Sequence, residues 1–273
     1  MKDSKVILIT GASSGIGMSA AFRLLAAGHK VYAAARRVER MSALQDVGAI
    51  LLSMDVTDEA SLEAGVNRIL EEQGRIDVLV NNAGYGSFGP LETVPAEEAR
   101  RQFDVNVFGL AKLTQLVLPS MREHGEGRII NVASMAGHFC EPRGDWYHAT
   151  KYAVVSLSEC LRMEVRDFGI KVVLIEPGAI RSEWSGIAMD HLEEVTAGTI
   201  YEEGARRQSK LFRYAYSHFA SSPEKVSKAI FKAATVARPR LSYRMGMGSK
   251  ATRALKAVLP ARAFDSMMIK VFG

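Results

Sequence analysis

Cysteine is nearly missing from this chain: only Cys140 and Cys160 occur among 273 residues. Their separation matches neither a disulfide framework nor a metal-ligand spacing, so both read as reduced thiols of a cytoplasmic protein. Long apolar runs are missing too. No segment approaches the roughly 20 consecutive apolar residues a membrane-spanning helix needs. The opening MKDSKVILIT has no small-residue cleavage site and enters a β-rich run at once, which argues against a signal peptide. Blocks of one charge are also lacking. The net charge is +5 and the pI about 9.2, yet the densest basic clusters, Arg36-Arg37 and Arg206-Arg207, are two residues each. That scatter speaks against nucleic acid and against membrane binding, while a modest positive balance suits an anionic small molecule. No cluster of His, Cys, Asp and Glu suggests a metal, and no repeat of fixed period occurs.

What is present is a soluble, globular composition, 48% apolar and 24% charged, long enough for one large α/β domain. Short β-branched runs recur: VILIT from Val6, KVYAAA from Lys30, AILLSMD from Ala49, DVLVNNA from Asp77, RIINVAS from Arg128 and KVVLIEPG from Lys171. Most are apolar throughout rather than alternating, the pattern of strands buried on both faces of a parallel sheet. Between them lie segments of helical period. GMSAAFRLLAAGH stops at Gly28, and DEASLEAGVNRILEEQG starts at a capping Asp58 and stops at Gly74. The alternation predicts a doubly wound parallel sheet with helices on both faces. From Ile180 to about Ser222 the chain turns helical and charged. Pro223 then restarts a helix behind a capping Ser222. RLSYRMG resembles a last strand, and the tail from Lys250 is amphipathic, interrupted by Pro260.

Two short stretches carry chemistry. TGASSGIG, from Thr10 to Gly17, joins the first strand to the first helix, with glycines at 11, 15 and 17. Bare backbone N–H groups and the positive end of a helix would meet there, a cradle for phosphate. The spacing is G-x-x-x-G-x-G rather than the dinucleotide fingerprint G-x-G-x-x-G. WYHATK sets Tyr147 and Lys151 four residues apart, on one face of a helix. By itself such a pair is ordinary helix surface.

Taken together, TGASSGIG, NNAG (Asn81 to Gly84), Asn106, Ser134, YHATK and EPG (Glu176 to Gly178) follow the order and near the spacing of the short-chain dehydrogenase/reductase family, which the chain resembles over residues 4 to 182 and more loosely beyond. The resemblance implies a Rossmann-type fold of about seven strands, all in one domain over 1–273, and hydride exchange with a nicotinamide cofactor. It also implies a catalytic tetrad. Tyr147 exchanges the proton, Ser134 steadies the substrate oxygen, Lys151 bonds the nicotinamide ribose, and Asn106 holds a water that relays protons to the lysine. A free phenol titrates near 10. An ammonium about 4 Å away, at an effective dielectric near 20, favours phenolate by about 4 kcal/mol, so Tyr147 would fall toward neutrality by about three pKa units.

The same resemblance maps the cofactor site onto Gly11, Ser13, Ser14, Gly15, Ile16 and Gly17 of the first loop. Asp55 and Val56 follow the third strand, with Asp55 accepting from the adenine amino group. Asn82, Ala83 and Gly84 belong to NNAG, which the resemblance makes a brace for the sheet and the adenosine side, with Asn81 and Gly84 expected nearest the cofactor. Pro177, Gly178, Ile180 and Ser182 lie along the nicotinamide, and Ser182 keeps the hydroxyl of the threonine common there. Ala35 ends the second strand where a carboxylate would mark NAD, and Arg36 follows. An arginine pairs with a 2′-phosphate, so NADP(H) is expected, with Arg36 the main contact and Arg37 a second; NAD(H) is the weaker fit.

A helical lid over about 182–222, rich in Trp184, Ile187, Met189, Phe212, Tyr214, Tyr216 and Phe219, is expected to roof the substrate. With a C-terminal extension over about 245–273, it resembles family members that act on lipophilic substrates, such as hydroxysteroid and retinol dehydrogenases. His138, Phe139 and Cys140 should border the pocket without a necessary role, and Met245, Met247, Met267 and Met268 read as gap-fillers or as a lipophilic lining. Two other readings are a 3-oxoacyl-thioester reductase, which the long lid and tail disfavour, and a cofactor-sensing regulator without activity, which has no need of an intact tetrad. The partners implied are a small carbonyl or alcohol substrate and, by resemblance, a second or further copies of the chain in a homodimer or homotetramer.

Overall fold

The computed structural model describes residues 4–249 and 251–273. Met1–Asp3 and Lys250, the first residues of the N-terminal run and of the amphipathic tail, lie outside the described residues. The elements follow the predicted alternation. They are β1 (Val6–Thr10), α1 (Gly15–Ala26), β2 (Lys30–Ala35), α2 (Ser42–Gln45), β3 (Ile50–Ser53), α3 (Glu59–Gln73), β4 (Val78–Asn81), α4 (Ala96–Phe103), α5 (Gly109–Glu123), β5 (Gly127–Val132), α6 (Asp145–Glu164), β6 (Ile170–Pro177), α7 (Trp184–Thr196), α8 (Glu202–Phe219), α9 (Pro223–Thr235), β7 (Ser242–Met245), α10 (Ala251–Val258) and α11 (Ala261–Phe272).

Among the described residues one sheet forms, in the order β3-β2-β1-β4-β5-β6-β7. Every pairing is parallel, for example Ile7 with Val31 and with Val78. Buried strands need apolar residues on both faces, and β1 shows why its run does not alternate. Ile7 and Ile9 join the core under α1 and α9, while Val6 and Leu8 join the core under α3 and α5. The direction of the strand order reverses between β1 and β4, the switch point where open α/β sheets bind ligands beyond the carboxyl ends of their strands.

Local signals acted as expected at α3. The Asp58 carboxylate accepts from the Ala60 amide, and Gly74 takes the left-handed conformation, φ 71°, at the helix end. At α9 the expectation fails in part. Pro223 opens the helix, but the Ser222 hydroxyl makes no cap bond to its amides. The segment after Gly178 is helical as expected, through α7 and α8, and the tail breaks at Pro260 between α10 and α11. No described helix is long and apolar enough to cross a membrane.

Candidate active site

A cavity of about 800 Å³ opens at the carboxyl ends of β1, β2, β4, β5 and β6. One end runs under the glycine loop and the end of β2; the other runs beneath α7, α8 and the C-terminal helices.

The glycine loop is shaped by close approach. A Cβ at Gly11 would stand 2.9 Å from Ala83 Cα in a backbone with φ +65°, and one at Gly17 would stand 2.4 Å from the Gly11 carbonyl. Asn82 explains the crowding. Its amide nitrogen Nδ2 donates to the carbonyls of Thr10 and Gly11, and its own backbone N–H donates to Thr10 Oγ1. Ser14 holds the N-cap position of α1 without bonding its hydroxyl to the helix, so the first-turn amides keep no side-chain acceptor. Ser13, Ser14, Gly15 and Ile16 line the cavity; Gly17 lies behind the loop and permits its fold. Bare amides at the positive end of a 12-residue helix fit the pyrophosphate of a dinucleotide.

At the end of β2, Arg36 lines the cavity with its side chain 63% exposed, 3.9 Å from Asp55 Oδ2. Arg37 also lines it, but its guanidinium lies 3.6 Å from Glu183, which Arg40 holds at 3.1 Å. Asp55 is partly committed: Oδ1 accepts from the backbone N–H and the hydroxyl of Thr57. Val56, Ala83, Gly84, Pro177, Gly178, Ile180 and Ser182 all line the cavity. Asn81 does not. Its side chain donates to Thr114 Oγ1 and Asn131 Oδ1 inside the sheet, so it braces β4 on β5 rather than standing nearest the cofactor. A residue within the strand points along its buried ladder, and the turn that faces the ligand begins one residue later.

Tyr147, Ser134 and Lys151 converge where the two ends of the cavity meet. Tyr147 is 7% exposed, its ring between Phe88 at 5.6 Å and Trp184 at 5.0 Å. Lys151 Nζ donates to the Val132 carbonyl at 3.2 Å and lies 5.8 Å from the Tyr147 ring centroid. The expected acidification of the phenol is therefore not what the protein alone produces. Burial pushes the Tyr147 pKa up, and the hydrogen bond with Ser134 offsets it only in part. Burial likewise lowers Lys151 to about 8. Desolvation outweighs mutual attraction because the ammonium is aimed at a carbonyl, not at the phenol oxygen. Ser134 Oγ accepts from the Ala136 amide, which fixes its rotamer.

Asn106 lies in a π-helical turn, Asp104–Phe108, between α4 and α5, a distortion often found at functional sites. Its carboxamide accepts from the Tyr85 N–H and donates to the Tyr85 carbonyl and to Thr150 Oγ1. It thus stands behind the cavity wall, holding the Gly84–Tyr85 strip against α6, with no direct bond to Lys151.

The lid matches its expectation unevenly. Trp184, Ile187, Phe212 and Tyr216 line the cavity, but Met189 is buried beside Ala188 and Leu192, and Tyr214 and Phe219 are exposed. From the tail, Met247, Met267 and Met268 line the cavity, whereas Met245 packs against the core under α1. Phe139 also lines it; His138 instead bonds Glu176 at 2.6 Å. Glu141 and His148, which line the end of the cavity beneath α7 and α8, carried no signal in the sequence. Nor did Arg143, whose left-handed backbone (φ 62°) lets its guanidinium reach Gln208 of α8 and the Phe272 carbonyl of α11. No local pattern marks these residues, because their partners are far away in sequence.

Comparison with known proteins adds the lineage. A family model described as short chain dehydrogenase matches residues 5–191. A probable short-chain type dehydrogenase/reductase from Helicobacter pylori is 33% identical over 260 residues, covering 95% of each chain. A 3-ketodihydrosphingosine reductase from Bacteroides thetaiotaomicron is 43% identical over 175 residues, 64% of this chain and 63% of its own. The crystal structure of a short-chain dehydrogenase from Streptomyces avermitilis superposes with a TM-score of 0.82 at 34% identity, over 99% of this chain and 98% of its own. Neighbours carry either nicotinamide cofactor. A serine dehydrogenase complexed with NADP+ has a TM-score of 0.75 at 30% identity, covering 88% of this chain and 94% of its own. A Burkholderia phymatum member in complex with NAD has a TM-score of 0.79 at 28% identity, covering 98% and 95%.

Proposed function

The chain belongs to the short-chain dehydrogenase/reductase family and is an oxidoreductase that uses a nicotinamide cofactor; within that family we propose that it is NADP(H)-dependent and interconverts a lipophilic carbonyl compound and its alcohol. The observation that carries the reading is the convergence of Tyr147, Ser134 and Lys151 on one cavity that runs from the glycine loop to an apolar chamber. When bound, the cofactor supplies or removes the hydride at the carbonyl carbon. The rest falls to the protein. Tyr147 gives its phenolic proton to the carbonyl oxygen in reduction and takes it back in oxidation. Ser134 donates to the same oxygen and stabilises the developing negative charge. Lys151, buried and short of partners, favours any neighbouring oxygen that carries negative charge or lone pairs, which is the role expected toward ribose hydroxyls and phenolate. Asn106 positions the wall that holds Lys151.

NADP(H) is supported by Arg36, an exposed cation at the end of β2 with no carboxylate at Ala35. A lipophilic substrate is supported by the aromatic and methionine lining that α7, α8 and α11 contribute. Assembly into a homo-oligomer is part of the same reading, supported by exposed Phe108, Tyr152, Leu157 and Met163 on and beside α5 and α6. So is a cytoplasmic location, which the free thiols of Cys140 and Cys160 suit.

The decisive experiment measures NADPH oxidation with a panel of long-chain and polycyclic ketones, on the wild type and on Tyr147→Phe. Turnover should disappear in the variant, by about 1,000-fold or more, while NADPH affinity changes little. Full activity in Tyr147→Phe would refute the proton role.

A further inference from the structure

Beneath the lid, the loop joining β5 to α6 brings a buried acid to the substrate chamber. The Glu141 side chain is 6% exposed and that of His148 3% exposed, and both line the cavity. Their closest atoms, Oε1 and Nε2, stand 3.8 Å apart, beyond a hydrogen bond. His148 Nδ1 lies 2.9 Å from the Ala136 carbonyl, which can only accept, so Nδ1 carries the proton. Nε2 of the neutral ring is then a lone pair, and among the described residues no donor satisfies it. Two acceptors, one of them anionic, thus face one another at a cavity wall without a donor between them. The proton affinity of the ring reports the same demand. Burial works against a charged imidazole, yet Glu141 and the carbonyls of Ala136 and Phe139 outweigh it and raise the His148 pKa.

The surroundings favour a cation over a neutral donor. Phe139 stands edge-on to His148 at 5.2 Å, and Trp184 and Tyr216 stack at 6.1 Å across the same chamber. An ammonium has enough N–H groups to serve both acceptors; a hydroxyl has one. Behind them the chamber is closed by Leu211, Phe212, Met267, Met268, Val271 and Phe272, which offer no second charge.

We propose that Glu141, backed by His148, sets the specificity of this cavity, and that the substrate is a lipophilic carbonyl compound, or its alcohol, bearing a protonated amine close to the reacting carbon. Tyr147 and His148 line the same cavity with their ring centroids 6.1 Å apart, so the groups that take the carbonyl and the amine are neighbours on its wall. The proposal rests on the carbonyl–alcohol reading above.

Two measurements separate the claims. In the first, kcat and KM are compared for a long-chain α-amino ketone and its desamino counterpart, with NADPH, on the wild type and on Glu141→Gln. The wild type should prefer the amino ketone by about 10-fold or more in kcat/KM. In Glu141→Gln that preference should fall by about 10-fold or more, to near parity, mostly through KM. A preference that survives in the variant, or none in the wild type, overturns the proposal. In the second, binding of dodecylamine and dodecanol to the NADPH complex is measured by calorimetry. Dodecylamine should bind the wild type at least about 10-fold more tightly; tighter binding of dodecanol reassigns the pair to a neutral donor and sinks the proposal. Because this comparison uses wild-type protein, it decides even if the variant misfolds. Selective amine binding with no ketone turnover would sink the function proposed above and leave the recognition standing.

Discussion

Replacing Lys151 with methionine should make the cofactor-free protein more stable near neutral pH while abolishing its activity. Burial lowers the Lys151 pKa from 10.5 to about 8. At ~1.4 kcal/mol per unit, holding the ammonium in this site costs at most about 3 kcal/mol. The Val132 carbonyl, which accepts from Nζ at 3.2 Å, loses its partner in the variant, at a cost of about 1 kcal/mol. Methionine keeps most of the stem volume, so Lys151→Met should gain about 2 kcal/mol near neutrality. The sign reverses with pH. The folded pKa lies below the unfolded one, so the penalty is complete below about 8, fades between about 8 and 10.5 as the unfolded chain keeps the extra proton, and is gone above 10.5. Above that window the variant should be less stable than the wild type by about 1 kcal/mol. Urea denaturation of both proteins across this range gives the difference directly, since other titrating groups cancel. A variant that is less stable at neutral pH, by an amount independent of pH, would refute the claim that an uncompensated buried charge sits in the cleft.

Arg36→Asp should raise the KM for NADPH relative to that for NADH by about 100-fold, read from initial rates with each cofactor; an unchanged ratio would move the 2′-phosphate contact elsewhere. Gly17→Ala should push its methyl group into the Gly11 carbonyl and the Asn82 amide, 2.4 and 2.5 Å from the new carbon, and weaken NADPH binding by about 10-fold or more in a fluorescence titration, with a loss of about 1–3 kcal/mol in stability. Glu176 is buried, which alone would raise its pKa, but hydrogen bonds from His138, Ser242 and Arg244 hold it down to about 2. Glu176→Gln should therefore cost about 3 kcal/mol at neutral pH. That difference should shrink as the pH falls from 4.5 toward about 2, because the depressed carboxyl stabilises in full only where it is ionised in both states. A difference that persists unchanged in acid would mean packing, not charge, is what the glutamate contributes.

Glu176 shows how the tail is joined to the site. It sits in the EPG stretch at the end of β6, yet its carboxylate gathers His138 from the loop after β5, Arg244 from β7 and, at 3.8 Å, Arg253 from α10. Arg143 does the same at the other end of the tail, through Gln208 and the Phe272 carbonyl. These two polar knots press α10 and α11 against the chamber, so that Met267, Met268 and Phe272 become its wall. An amphipathic tail was legible; what it covers was not.

The sequence by itself determined the sheet and the glycine-loop end of the cleft. Strands buried on both faces must be apolar throughout, a helix end near a phosphate must be bare of side chains, and both demands leave marks on neighbouring residues that can be read locally. Hence the runs that form β1 to β7, the glycine loop, Arg36 after Ala35 and the Tyr147–Lys151 pair were all visible beforehand. Tertiary structure alone decided the electrostatics and the substrate end. Whether Lys151 lowers the Tyr147 pKa or both are dominated by desolvation depends on where the ammonium points. Whether Asn81 or Asn82 meets the cleft depends on where the strand ends. Glu141 acquires its meaning from a lone pair on His148 and from rings of α7 and α8, groups brought together by packing. Coulomb and desolvation terms vary over a few ångströms, and no spacing along the chain encodes distances between elements that are remote in sequence.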